Sequence, residues 1–172
     1  MKIRNKFLAT GMALMLFIIG CTSSSIQQAE KNKQLFIQGI EAVNNRNWDA
    51  LDDLIAPNYV RHCQATPDVT VRSLEDFKAF LKQDATTFPD FRITIDKIVA
   101  EGDLVAFYCT FIGTQKGQMG PFPPSDKQMT LELAGVHRVA DGKLVETWQT
   151  WDNMASLMQL GHLPPPTEAE QP

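Results

Sequence analysis

Near its C-terminal end the chain sets a carboxylate beside indoles: Trp148 and Trp151 stand in a strand-like run and Asp152 follows at once. A carboxyl group walled by apolar surface resists ionisation, so its pKa climbs towards neutrality and it can take a proton from carbon and return it to oxygen. The same residue suits a second role, because residues 153–160 read as a short helix and Asp is a good N-cap. His137 and His62 are further titratable candidates. An imidazole facing a pocket polarises a carbonyl or holds substrate, whereas a lone strand histidine more often serves structure. Asp84 falls on the apolar stripe of a helix, where it could face a pocket, but a carboxylate at the stripe's edge that reaches solvent is the commoner outcome and the one expected. There is no CxxC or HExxH cluster, and three scattered histidines make no zinc ligand set, so no metal is expected. The glycines around residues 117–125 lack the GxxxxGK[ST] pattern and a following helix, which argues against a phosphate site.

The elements that must position these residues follow from periodicity. Between residues 29 and 45, Phe36, Ile40 and Val43, with Leu35 beside them, recur at helical spacing, and residues 44–47 supply the stop. A second short helix carries Trp48, Leu51, Leu54 and Ile55 and ends before Pro57, since the residue ahead of a proline is pushed out of the α region. Ser73 with Asp76 predicts a capping-box start for a third helix, striped by Phe77, Phe80, Leu81 and Phe88. Beyond Pro89 the period changes to two. Phe91, Ile93 and Ile95 alternate with polar residues, residues 101–103 turn the chain, and residues 104–111 return. Met129, Leu131, Leu133, Gly135, His137 and Val139 alternate next, and Asp141-Gly142 is a hairpin turn into residues 144–151. Helices first and strands afterwards predict an α+β domain: a curved antiparallel sheet closed by three N-terminal helices. Val105, Phe107, Cys109 and Phe111 share one strand face and Leu131, Leu133 and His137 another. Each is core first and pocket lining second.

The opening of the chain reads as an address. Lys2, Arg4 and Lys6 precede an apolar run of 13 residues from Phe7 to Ile19, then Gly20 and Cys21, the layout of a cleaved signal peptide. The run is short of the ~20 residues a membrane-spanning helix needs. Ile18-Ile19-Gly20-Cys21 resembles the bacterial lipobox, which makes residues 1–20 the signal peptide and Cys21 the site of lipidation. The protein is then exported and lipid-anchored to the cell membrane. Thr22, standing where Asp would retain it, directs it away from the inner membrane if the cell has two. Residues 21–28 are Ser- and Gln-rich and read as a flexible tether, residues 29–163 as one domain, and residues 164–172 as a disordered tail. The net charge is −4, and once Lys2, Arg4 and Lys6 are removed, 13 basic residues face 20 acidic ones, a net of −7. Nucleic acid is not an expected partner, because phosphate binding needs clustered Lys and Arg. Cys63 and Cys109 fit no small disulfide scaffold, and their pairing stays open.

A resemblance rests on longer blocks. Gly113-Thr114-Gln115-Lys116-Gly117, then Gly120-Pro121-Phe122-Pro123-Pro124-Ser125, then the run from Val136 through Asp141-Gly142 to Trp148, resemble the signature of the SnoaL-like polyketide cyclases, also called ester cyclases. Trp48-Asp49-Ala50-Leu51, residues 56–60 with His62, Phe88-Pro89-Asp90, Trp151-Asp152 and Leu160-Gly161 fall in that family's order. The resemblance spans about residues 33–164. It implies a nuclear-transport-factor-like fold with an apolar pocket in the mouth of its sheet, a homodimer across the sheet's outer face, and cofactor-free acid/base chemistry such as aldol cyclisation or isomerisation on a small apolar carbonyl compound. By the same resemblance Asp152 is the acid/base aspartate, with His137 and His62 as pocket imidazoles. Tyr59, Phe107, Trp148 and Trp151 would line the pocket, and Met119 and Phe122 would lid it. This architecture also carries other chemistries and binding modules, so a non-catalytic ligand-binding lipoprotein and a dimerising accessory stand beside the enzyme. Convergence of Asp152, His137 and His62 on one cavity favours the enzyme; dispersal favours binding or structure.

Overall fold

A computed structural model describes the backbone of residues 8–164 and the side chains of residues 25–164. The elements run α1 (Leu8–Asn44), α2 (Leu51–Leu54), β1 (Ile55–Cys63), α3 (Leu74–Thr87), β2 (Arg92–Glu101), β3 (Leu104–Thr114), β4 (Gln128–Ala140), β5 (Lys143–Trp151) and α4 (Asn153–Gln159). The expected N-terminal address lies partly outside the described residues, as does the expected tail beyond residue 164. The side chain of Cys21 also lies outside them. Among the described residues no helix is long and apolar enough to cross a membrane.

Helix α1 begins ahead of residue 29, so the stretch read as a tether continues the helix. Gln28 donates to Asn32 one turn on, at 2.9 Å, and Asn32 donates to the carbonyl of Gly102 at 2.9 Å, which docks α1 on the turn between β2 and β3. The stop is where the sequence places it. Arg46 takes a positive φ of 58°, Asn47 N–H reaches the Ala42 carbonyl and Arg46 N–H that of Val43, the paired bonds of a Schellman end. Asn44 then both donates to and accepts from the backbone of Ile93, each at 2.8 Å, and so fixes the helix end to β2.

The sheet is five-stranded in the order β1-β5-β4-β3-β2. It is mixed rather than antiparallel: β1 runs parallel to β5, and the other three pairings are antiparallel. Nor do three helices precede the strands, because α2 is a single turn and β1 follows it directly. Pro57 concealed this strand. Its missing N–H is tolerated because β1 is an edge strand whose pairing to β5 is interrupted between Ile55 and Val60. Helix α3 starts as expected, with Ser73 accepting from Asp76 N–H at 3.0 Å and the Asp76 carboxylate accepting from Arg72 N–H at 3.0 Å.

The inner face of the sheet packs against the helices. Val105, Phe107, Cys109 and Phe111 of β3 meet Met129, Leu131 and Val139 of β4, with Phe36 and Val43 from α1, Leu51 from α2 and Leu81 from α3. Cys63 and Cys109 are both free thiols.

Candidate active site

Between that face and the helices lies a cavity of about 650 Å³, walled by Phe36, Ile40, Phe77, Phe107, Leu133 and Trp151 among others. The titratable or charged side chains reaching it are Tyr59 and Arg61 from β1, Asp68 from the loop after β1, Asp84 from α3 and His137 from β4. Two of these sit in a fixed hydrogen-bond chain. His137 stands opposite Thr147 in the β4–β5 register, and Tyr59 Oη donates to Thr147 Oγ1 at 2.5 Å. Thr147 Oγ1 in turn bonds His137 Nδ1. With the Tyr59 proton directed at Thr147, the threonine hydroxyl donates to Nδ1, which leaves the neutral imidazole's proton on Nε2 by network assignment. Burial pulls His137 down to about 3 and pushes Tyr59 up to about 12, so both are neutral near pH 7. Phe107 stacks on the imidazole at 4.8 Å and Phe36 lies against it at 5.0 Å.

A second polar group forms around Arg61, which is 5% exposed. Its guanidinium lies over the Phe80 ring at 4.5 Å and near Trp151 at 5.7 Å. Nη1 donates to Thr66 Oγ1 at 3.2 Å. With the Gln149 amide oxygen turned towards it, Nε and Nη2 donate there at 3.0 and 3.1 Å. Asp84 belongs to the same cavity and is pushed up to about 7 by burial, against the opposing pull of the Arg61 charge. Its residue surface is only half-buried, yet that surface lines the cavity, so the carboxyl is poorly solvated all the same.

The loop at the cavity's edge is pinned. Lys116 and Gly117 N–H both reach the Thr87 carbonyl, Met119 and Phe122 exchange two backbone bonds, and Gln115, fully buried, donates to the carbonyls of Gly117 and Pro123. A Cβ on Gly117 would lie 2.7 Å from the Thr86 carbonyl oxygen, so only glycine lets the loop approach α3 this closely. Phe122 also stacks on His162 at 4.8 Å.

The sequence profile of the SnoaL-like polyketide cyclases matches residues 34–160, the span that forms the sheet, the helices around it and the cavity. The chain belongs to this family. It is 24% identical over 135 residues to the nogalonic acid methyl ester cyclase of Streptomyces nogalater, covering 77% of this chain and 99% of that one. IdmH of Streptomyces antibioticus, a proposed polyketide cyclase, is 32% identical with a TM-score of 0.68, over 76% of this chain and 98% of its own. AclR of Streptomyces galilaeus, a proposed hydroxylase, is 26% identical with a TM-score of 0.70, over 82% and 87%.

In this SnoaL-like protein the site residues expected from sequence do not all meet. Tyr59, Phe107, Met119, Phe122, Trp151 and His137 line the cavity; Asp152, His62 and Trp148 do not. Asp152 is exposed and caps α4, its carboxylate accepting from Ala155 N–H at 2.9 Å. The strand ends at Trp151 and the chain turns into helix at the next residue, so the carboxylate serves the helix and not a pocket. His62 neighbours Arg61 and therefore points to the opposite face of β1, where it meets Glu146 at 2.8 Å and stacks on Trp148 at 5.4 Å. Trp148 and Trp151 are three positions apart, an odd number, so they too face opposite ways. Asp84 was expected to reach solvent and instead faces the cavity. Arg61, Gln149 and Thr147 drew no attention in the sequence, although Tyr59 and Arg61 alternate once β1 is recognised as a strand. Among the described residues no group of three or more His, Cys, Asp or Glu is placed to hold a metal ion.

Proposed function

We propose that this protein performs cyclase-type acid/base chemistry without a cofactor on a small apolar carbonyl compound, with Asp84 as the proton-transfer group in place of Asp152. The observation carrying this is a carboxyl group in an apolar cavity whose pKa, raised to about 7, suits both taking and returning a proton near neutrality. Ionised Asp84 takes the proton from a carbon next to a carbonyl. The resulting enolate attacks a second carbonyl of the same molecule, a C–C bond forms, and the new alkoxide recovers the proton from Asp84. His137, neutral and carrying its proton on Nε2, is the donor suited to holding one of those carbonyl oxygens.

Mass spectrometry of ligand extracted from the purified protein identifies the compound class. In deuterated water the wild type then exchanges the hydrogen next to that ligand's carbonyl, and Asp84→Asn loses the exchange by a factor of about 100 or more while still binding. Exchange unaffected by Asp84→Asn refutes the assignment. A second reading is a ligand-holding protein without turnover, favoured by the dispersal of Asp152 and His62 away from the cavity. Wild type that binds the extracted ligand but exchanges no hydrogen supports it.

We further propose that the protein is exported and held at the membrane by lipid on Cys21, on the strength of the charged start, the 13-residue apolar run and the small residue before the cysteine. Metabolic labelling with radioactive palmitate marks the wild type and not Cys21→Ser; equal labelling removes the anchor.

A further inference from the structure

Arg61 presents a problem of charge. It is buried, and among the described residues it takes part in no ion pair. Thr66 and Gln149, its side-chain hydrogen-bond partners, are neutral. A guanidinium has five N–H groups in a planar fork. Three are taken by Thr66 and Gln149, leaving one on Nη1 and one on Nη2. A buried cation with no anion bonded to it is costly, so a residue held this way in a ligand cavity, with N–H groups to spare, is suited to charge that the ligand brings.

We propose that the cavity selects an amphipathic carboxylate, an apolar chain ending in a carboxyl group that docks on Arg61, and that Asp84 takes up a proton as it binds. A carboxylate fits better than a phosphate: two parallel N–H groups match its two oxygens, and one cation in an apolar cavity does not offset a dianion. The apolar walls, formed by Phe36, Ile40, Phe77, Phe107 and Leu133, take the rest of the molecule.

The proton uptake follows from the charged and titratable groups that share the cavity with Asp84. From β1 come Arg61 and Tyr59, from the following loop Asp68, and from β4 His137. Tyr59 and His137 are both neutral near pH 7 and supply no charge. Arg61 is thus the nearby positive charge that keeps Asp84 from rising further. A ligand carboxylate on Arg61 cancels that pull and adds a like charge, so Asp84 becomes a stronger proton acceptor. Above about pH 7, where the empty protein holds Asp84 ionised, each ligand bound brings a proton with it. The proposal rests on the acid/base reading and deepens it by naming the substrate class; in the complex the base is the ionised fraction of Asp84, which grows as pH rises, so turnover climbs with pH above about 7.

The test is calorimetry on the purified full chain with octanoate and methyl octanoate as probes, in phosphate and Tris buffers, whose ionisation heats differ. Octanoate is expected to bind about tenfold or more tightly than the methyl ester. Arg61→Gln is expected to erase that preference by weakening octanoate alone. At about pH 8 the heat of octanoate binding differs between the buffers by roughly one proton taken up, and Asp84→Asn abolishes the difference. Equal or tighter binding of the ester to wild type overturns the carboxylate assignment. Buffer-independent heat overturns the coupling to Asp84. Both outcomes are read on wild type, so they stand even where a variant fails to fold. Neither depends on turnover, so loss of the cyclase reading and loss of this one are distinguishable.

Discussion

Asp84 shows what helical spacing can and cannot locate. Its interval from Phe77, Phe80, Leu81 and Phe88 puts it on the buried stripe of α3, and that much is legible from periodicity. Whether the stripe faces packed side chains or a void is not, because the void is set by how far α3 stands from strands that are distant from it in the chain, β1 before it and β3 to β5 after it. A carboxylate on a packed stripe escapes to solvent; one on a stripe facing a cavity is held in poor solvation. The second case makes a stability prediction. The folded carboxyl is raised to about 7, above the unfolded value of about 3.8, so between those two pH values the unfolded chain is ionised while the folded protein keeps its proton. Stability is therefore full below about pH 4 and falls as pH rises, by up to ~1.4 kcal/mol per pH unit, until Asp84 itself ionises near 7. Asp84→Asn removes this dependence and is expected to be more stable than wild type by about 1–3 kcal/mol at about pH 8, with the gain shrinking on acidification. Urea melts of the two proteins across pH measure it, and an unchanged pH profile in the variant places the carboxyl in water.

At the scale of elements, the sequence was most informative where a local device sets the boundary. The Ser73–Asp76 cap, the stop at residues 44–47, the Asp141-Gly142 hairpin and the alternation along β3 and β4 are all read from neighbours a few residues apart, and the structure has each of them. It was least informative at β1, where Pro57 reads as a break and only the distant pairing with β5 makes a strand of the residues around it. Missing β1 hid Arg61 and left His62 on the wrong face. At Asp152 two roles were open on local evidence, cap or pocket acid, and the start of α4 decides for the cap. Asp152→Ala is then expected to cost about 1 kcal/mol of stability through loss of the bond to Ala155 N–H, whereas Asp152→Asn costs a few tenths or less, since Asn caps about as well. Thermal melts of both variants check this. An Asp152→Asn protein that keeps its stability but loses activity would return the residue to the catalytic machinery.

At the scale of the whole molecule, the sheet has a face that the helices leave uncovered. Val99, Ala106, Val136 and Trp148 pair in register across β2, β3, β4 and β5, so they form one row over the outer face. Val99 is 66% exposed and Trp148 36%. Beside the row, His62 and Arg138 both meet Glu146, which supplies a polar margin to an apolar strip. A strip of this composition loses free energy to water at roughly 25 cal/mol per Å² of apolar surface, and laying two copies face to face removes it from both. The expected outcome is a homodimer across this face. Placing a charge in the strip, as in Val136→Asp, would bury a like charge from each copy in such a dimer, while in the monomer the half-buried side chain on the outer face would still reach water. Sedimentation velocity is expected to give about twice the monomer mass for wild type and the monomer mass for Val136→Asp, with thermal stability of the variant read in parallel. Wild type sedimenting as a monomer at tens of micromolar, or a variant that remains dimeric, assigns the outer face some other role.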